Sequence, residues 1–99
     1  MSGLNKKEIK DVLKKGKRFY SDNFLLYYLP SDTLKVSPIV SKKISKKAVI
    51  RNKIKRRIRY IAYNLLSNGG FAIVAKKDIS EYDFEKLYEE FKKLATKIN

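Results

Sequence analysis

Residues 44–66 read ISKKAVIRNKIKRRIRYIAYNLL, and this stretch decides the fold. Ile50, Ile54, Ile58, Ile61 and Leu65 recur at three- and four-residue spacing. That period predicts one amphipathic helix over residues 45–66, with a narrow apolar arc turned to a sheet. Arg51, Lys55 and Arg59 recur every four residues and share a second face, which Asn52 and Arg56 widen. Residues 44–59 hold eight cations and no carboxylate. A solvated helix normally mixes Glu with Lys, because such i,i+4 pairs contribute about 0.2–0.5 kcal/mol each. This helix forgoes that help and carries self-repulsion. A negative partner outside the chain is therefore expected to supply the missing charge. Ala48 and Ala62 are read as lying in the arginine sector, where small side chains would let a phosphate backbone come close.

The flanking segments set the rest of the topology. Leu4, Asn5, Glu8 and Ile9 form a helix start, with Asn5 as N-cap, Glu8 closing a capping box and Leu4 with Ile9 as a staple. Ile9, Val12 and Leu13 share a face, and Gly16 is the expected stop. Residues 19–29 are aromatic and aliphatic, end at Pro30 and predict one strand. Ser31 and Asp32 mark a turn, and residues 35–40 predict a shorter strand that pairs with the first as a hairpin. Pro38 points to an edge position or a bulge. After the basic helix, Asn68, Gly69 and Gly70 make a turn, and residues 71–75 read as a buried strand that can run parallel to a partner. Asp78 or Ser80 is the expected cap of a last helix. Phe84, Leu87, Tyr88, Phe91, Leu94, Ala95 and Ile98 give that helix its stripe. The order αββαβα predicts a two-layer α+β sandwich over residues 1–99, a single domain.

Composition limits the function. The 99 residues carry a net charge of +14. Residues 33–77 hold thirteen cations and no acid, whereas residues 78–99 are net negative. A concentrated basic block on a small domain points to nucleic acid. The chain has no Cys and no His, which excludes disulfides, the usual zinc sites, Cys nucleophiles and imidazole acid–base pairs. Asp78, Glu81, Asp83 and Glu85 suit the start of a helix dipole better than a metal-dependent nuclease. No catalytic group and no protein-held metal is expected. No apolar run approaches the ~18 residues of a membrane span, so a soluble, cytoplasmic chain is expected.

Three features suit RNA. The first is the helix face of Arg51, Asn52, Lys55, Arg56 and Arg59, with Lys53 beside it. The second is Lys42, Lys43, Lys46 and Lys47 at the helix entry, near backbone N–H groups that favour anions. The third is the aromatic set Phe19, Tyr20, Phe24, Tyr27 and Tyr28. Alternation puts Tyr27 opposite Phe24 and Tyr28, so one set is core and the other is free to stack on bases. A general RNA- or ribosome-binding protein would use the same helix. A membrane-surface role conflicts with the isoleucines, which the core needs.

The run VSPIVSKKISKKAVIRNKIKRRIR resembles the signature of the bacterial ribonuclease P protein component: V-S-K-K, then A-V-x-R-N-x-x-K-R-x-x-R. Here these are Val40, Ser41, Lys42 and Lys43, then Ala48, Val49, Arg51, Asn52, Lys55, Arg56 and Arg59. The opening helix, glycine and strand and the closing strand and helix are also similar, so nearly the whole chain is covered. The resemblance implies a left-handed βαβ crossover, an exception to the usual hand. It implies binding to ribonuclease P RNA and precursor tRNA, the protein being a monomer within the ribonucleoprotein. It implies endonucleolytic removal of the 5′ leader, with magnesium held by the RNA and substrate. Carried over by position, the helix cations face RNA, and Ile9, Leu13 and Tyr27 line the leader cleft. The sequence departs from the family at Ile9 and Leu13, where phenylalanine is common, at Ser45 for glycine and at Pro38 for an aliphatic residue.

Overall fold

The computed structural model describes residues 3–98. Helix α1 spans Lys6–Lys15. The expected capping box is present: Asn5 Oδ1 accepts from Glu8 N–H at 2.8 Å, and a Glu8 carboxylate oxygen accepts from Asn5 N–H at 3.1 Å. The bond from Asn5 N–H, and then the Lys35 ammonium, hold the Glu8 carboxyl below its ordinary range. Gly16 stops α1 in extended backbone, φ −70° and ψ 156°. It is needed there for space. A Cβ would stand 2.4 Å from Val12 O and 2.8 Å from Tyr28 O, both backbone atoms that cannot turn aside.

The single strand expected over residues 19–29 is two strands. β1 covers Lys17–Tyr20 and β2 covers Phe24–Leu29, paired antiparallel. Ser21, Asp22 and Asn23 make the turn between them, closed by Ser21 N–H to Phe24 O at 2.9 Å. Glu90 holds this turn from the last helix, accepting from Asn23 N–H at 2.9 Å and Asn23 Nδ2 at 2.6 Å. Three polar turn formers inside an aromatic run were the available signal.

β3, Leu34–Ile39, does not pair with β2 as a hairpin. The sheet order is β1-β2-β4-β3. β4, Gly69–Ala75, enters between them, antiparallel to β2 and parallel to β3. The reason is burial. Every β4 residue except Val74 is buried, and such a strand needs neighbours on both edges and cover on both faces. β3 takes the edge, where Pro38 loses no ladder bond; edge position and parallel run match expectation.

Helix α2 spans Ala48–Leu65 and α3 spans Phe84–Thr96. Ile54, Ile58 and Ile61 of α2 and Leu87, Phe91 and Leu94 of α3 pack on Phe24, Leu26, Val36, Phe71 and Ile73. Phe91 meets Phe24 edge-on, centroids 5.5 Å apart. Ala62 belongs to this core and is fully buried, not on the arginine side. It adjoins Ile58 on the helix, and its small side chain lets α2 lie close to the sheet. The cap of α3 is Asp83, which accepts from Glu85 N–H at 3.0 Å, not Asp78 or Ser80. Asp78 instead accepts from Ser80 N–H at 3.0 Å and Ser80 Oγ at 2.6 Å, which holds its carboxyl below the ordinary range. Among the described residues, no helix is long and apolar enough to cross a membrane.

Strand alternation gives the sheet a second face. Tyr27, Ala72 and Ser37 form one row across it, and Leu25, Val74 and Ile39 the next. Helix α1 covers one end of this face only. A Cβ on Gly70 would meet Leu4 at 3.4 Å and Val12 at 3.6 Å. Leu4 N–H donates to Ser37 Oγ at 2.7 Å, and Lys35 pairs with Glu8 at 2.9 Å. The rest of the face is open.

Gly16→Ala is expected to destabilise the protein by about 1–3 kcal/mol, the usual range for an atom forced into a packed site. Urea unfolding measures it, and an unchanged midpoint contradicts the close approach of α1 to β2.

Candidate nucleic-acid interface

Helix α2 starts without a side-chain cap bond at Lys47, and its first turn carries no acid. Lys46 and Lys47 therefore crowd the positive end of the helix dipole, where a cation is unfavourable by a few tenths to ~1 kcal/mol. Lys42 and Lys43 are exposed in the turn after β3, close by in the chain. Arg51 organises this entry. Its guanidinium donates to Ser45 O and Lys46 O, both at 3.0 Å.

Along the helix the cations separate into two flanks. On the α3 side, Lys53 pairs with Glu81 at 3.0 Å. Arg57 donates to Ile79 O at 3.0 Å and Tyr82 O at 2.7 Å, with its guanidinium 5.8 Å from the Phe84 ring centre. These two side chains anchor α2 to the 78–84 segment. On the β3 side stand Asn52, Lys55, Arg56 and Arg59. Asn52, Arg56 and Arg59 are exposed, and Lys55 is half-buried. Among the described residues there are two ion pairs, Lys35–Glu8 and Lys53–Glu81, and neither uses this flank. Its charge is unneutralised, as the acid-free sequence requires.

The basic flank turns the edge of the sheet. A groove of about 460 Å³ is lined by Leu4, Ile9, Ser37, Pro38, Arg59 and Tyr63 among others, around strand β3. Arg59 thus reaches from α2 to the side of α1 that borders the open sheet face. Ile9 and Leu13 lie on that flank of α1, one helix position to the side of the buried Val12. Leu13 is 41% exposed. Tyr27 is half-buried in the open face, while Phe24 is core. The question of which aromatic set is free is answered here: Phe24, Leu26 and Tyr28 point to α2 and α3, and Tyr28 stacks on Phe71 at 5.0 Å.

Tyr63, which the sequence pattern did not single out, joins Arg59 in the groove around β3. A larger depression, about 700 Å³, lies between the β1–β2 turn and α3. Asp22, Asp83, Glu85, Glu89 and Glu90 line it together with Lys86, Lys93 and Lys97, so its charge is mixed, unlike the acid-free flank of α2. The carboxylates of the 78–85 segment hold no metal geometry. Among the described residues, no three acids converge on one point.

A cation flank with no ion pair among the described residues, carried on a helix laid across a mixed four-stranded sheet, defines an RNA-binding α+β domain. A sequence model described as Ribonuclease P matches residues 4–99. The ribonuclease P protein component of Nitratiruptor sp. is 34% identical over 96 residues, covering 94% of this chain and 87% of the relative. That of Rickettsia akari is 36% identical over 106 residues, covering 91% and 90%. In fold, the chain is similar to the ribonuclease P protein of Thermotoga maritima, with a TM-score of 0.85 at 23% identity over 100% of this chain and 99% of the other. It is similar also to that of Staphylococcus aureus, with a TM-score of 0.82 at 20% identity over 97% and 93%. The chain belongs to the ribonuclease P protein family. Its role is that of the protein subunit of ribonuclease P, a ribonucleoprotein endoribonuclease of tRNA processing, and its partner is the ribonuclease P RNA.

The two flanks of α2 are expected to behave differently when truncated. Lys55→Ala, Arg56→Ala and Arg59→Ala each lower the log–log salt slope of RNA binding by roughly one unit. Lys53→Ala and Arg57→Ala lower thermal stability and leave the slope in place. Titration at several salt concentrations checks both, and equal slopes for all five variants would remove the distinction.

Proposed function

We propose that α2 binds the ribonuclease P RNA through Asn52, Lys55, Arg56 and Arg59, with Lys42, Lys43, Lys46 and Lys47 adding charge at its entry. The open sheet face takes the single-stranded 5′ leader of precursor tRNA. Tyr27 offers a ring to an unpaired base, and Ile9 and Leu13 form an apolar wall along α1. The observation that carries this reading is the continuity at the β3 edge, where Arg59 and Ile9 line the same groove. A strand held on the sheet face can pass its phosphates along Arg59 toward the RNA-binding flank.

This arrangement binds, orients and selects. A precursor carries the leader and mature tRNA does not, so only the precursor gains the sheet-face contacts. That difference is binding energy used for positioning. The aliphatic Ile9 and Leu13 give contact area without ring stacking, so Tyr27 carries the stacking on this face. The chain's carboxylates do not fit a magnesium site: Asp78 is engaged by Ser80, Asp83 caps α3 and Glu81 pairs with Lys53. Hydrolysis is assigned to the RNA, with magnesium held there and on the substrate, and the protein acts as a cytoplasmic monomer within the complex.

Mixed with a bacterial ribonuclease P RNA at low magnesium, the protein is expected to raise the rate of 5′ leader removal above that of RNA alone. No gain would instead favour a general RNA-binding role. Tyr27→Ala is expected to weaken precursor binding by roughly five- to 150-fold, the worth of one stacked base, with little loss for mature tRNA. Equal losses for the two ligands would make Tyr27 a purely structural residue.

A further inference from the structure

Charge does not account for everything on the outward side of α2. Tyr60 is 60% exposed, a large aromatic ring left in water. It stands four residues after Arg56, so ring and guanidinium share a face. Arg56, Arg59, Tyr60, Tyr63 and Asn64 line one shallow groove of about 350 Å³. The ring is braced from behind. Tyr60 packs against Phe84 of α3 with centroids 5.5 Å apart and planes at 62°. Phe84 in turn lies against Arg57, whose guanidinium is tied to Ile79 O and Tyr82 O. Tyr60 is thus ordered before any partner arrives, which lowers the entropy cost of using it. Its other side borders a depression with Phe84, Glu85, Tyr88 and Glu89. The step is cationic on one side and acidic on the other, with a flat neutral ring between.

That polarity fits a nucleotide in one orientation, base on the ring and phosphates on the arginine side. We propose that Tyr60, braced by Phe84, is a stacking platform for an unpaired base of the ribonuclease P RNA whose adjoining phosphates lie on Arg56 and Arg59. The proposal rests on the reading of α2 as the RNA-binding helix. The occupant is the partner RNA and not the leader, because Tyr60 and Tyr27 serve opposite faces of the sheet. A second copy of the chain is disfavoured by the arginines at the rim and a net charge of +14.

The test uses the full chain and a ribonuclease P RNA carrying 2-aminopurine at single unpaired positions. Wild-type protein is expected to quench the probe at one or a few of them. Tyr60→Phe keeps the quenching and Tyr60→Leu loses it. Tyr60→Leu also weakens RNA binding by roughly five- to 150-fold, with the salt slope unchanged because no phosphate contact is lost. Arg56→Ala lowers the slope. Should Tyr60→Leu prove less stable, the wild-type probe response still decides, since absence of quenching at every unpaired position overturns the proposal. Wild-type affinity in Tyr60→Leu overturns it as well. A wild-type dimer that Tyr60→Leu converts to monomer would assign the face to a second copy and overturn it too. Unchanged binding by Lys55→Ala, Arg56→Ala and Tyr60→Leu alike would remove the α2 reading itself, and the platform with it. A lowered slope in Arg56→Ala beside normal Tyr60→Leu binding would remove the platform alone.

Discussion

The structure depends on one helix doing two incompatible things. Helix α2 must bury Ile54, Ile58 and Ile61 to give the sheet a core, and it must keep Asn52, Arg56 and Arg59 exposed. Burying three isoleucines contributes about 1.5–3 kcal/mol each. Cation crowding and the uncapped N-terminus work against the same helix. The balance holds because the apolar arc and the charged flank are separate on the cylinder, and because Lys53 and Arg57 tie the α3 side down. The charge left over is concentrated on the side that turns the β3 edge, and its natural complement is phosphate.

The sheet solves a related problem. β4 is nearly all buried and takes the central position, which leaves β1 and β3 at the edges. With α2 and α3 on one face, the second face needs only partial cover, and α1 supplies it at one end. What stays open is the row of Leu25, Val74 and Ile39, with the half-buried Tyr27 beside it and Ile9 and Leu13 at its border. The basic flank of α2 and the open sheet face sit on opposite sides of the sheet and meet around β3.

Helices were legible in the residues because their signals are local. The Asn5 and Glu8 capping box, the isoleucine spacing of α2 and the stripe of α3 each lie within a few turns of chain, and each appears as read. The cap of α3 at Asp83 lay among several local candidates, and the larger differences arise where the deciding contact is distant. The turn at Ser21, Asp22 and Asn23 is held by Glu90 of the last helix, so residues 19–29 looked like one strand. Ala62 looked like surface because helical angle alone does not locate the edge of the core. The resemblance placed Arg51 among the RNA-facing cations; in the fold its guanidinium also braces the loop that leads into α2.

By itself, the sequence determined the class of partner and the family. An acid-free run of ordered cations requires an anion, and the R-N-x-x-K-R-x-x-R spacing is specific enough to name the lineage. It also narrowed Pro38 to an edge or a bulge, since proline lacks the donor an inner strand needs, and the sheet order places it at the edge. The resemblance already pointed to Tyr27; only the tertiary structure decided which strands are neighbours and that Arg59 and Ile9 share a groove. Those facts depend on β4 entering between β2 and β3. That choice is made by burying an apolar strand on both faces, an energy summed over residues far apart in the chain.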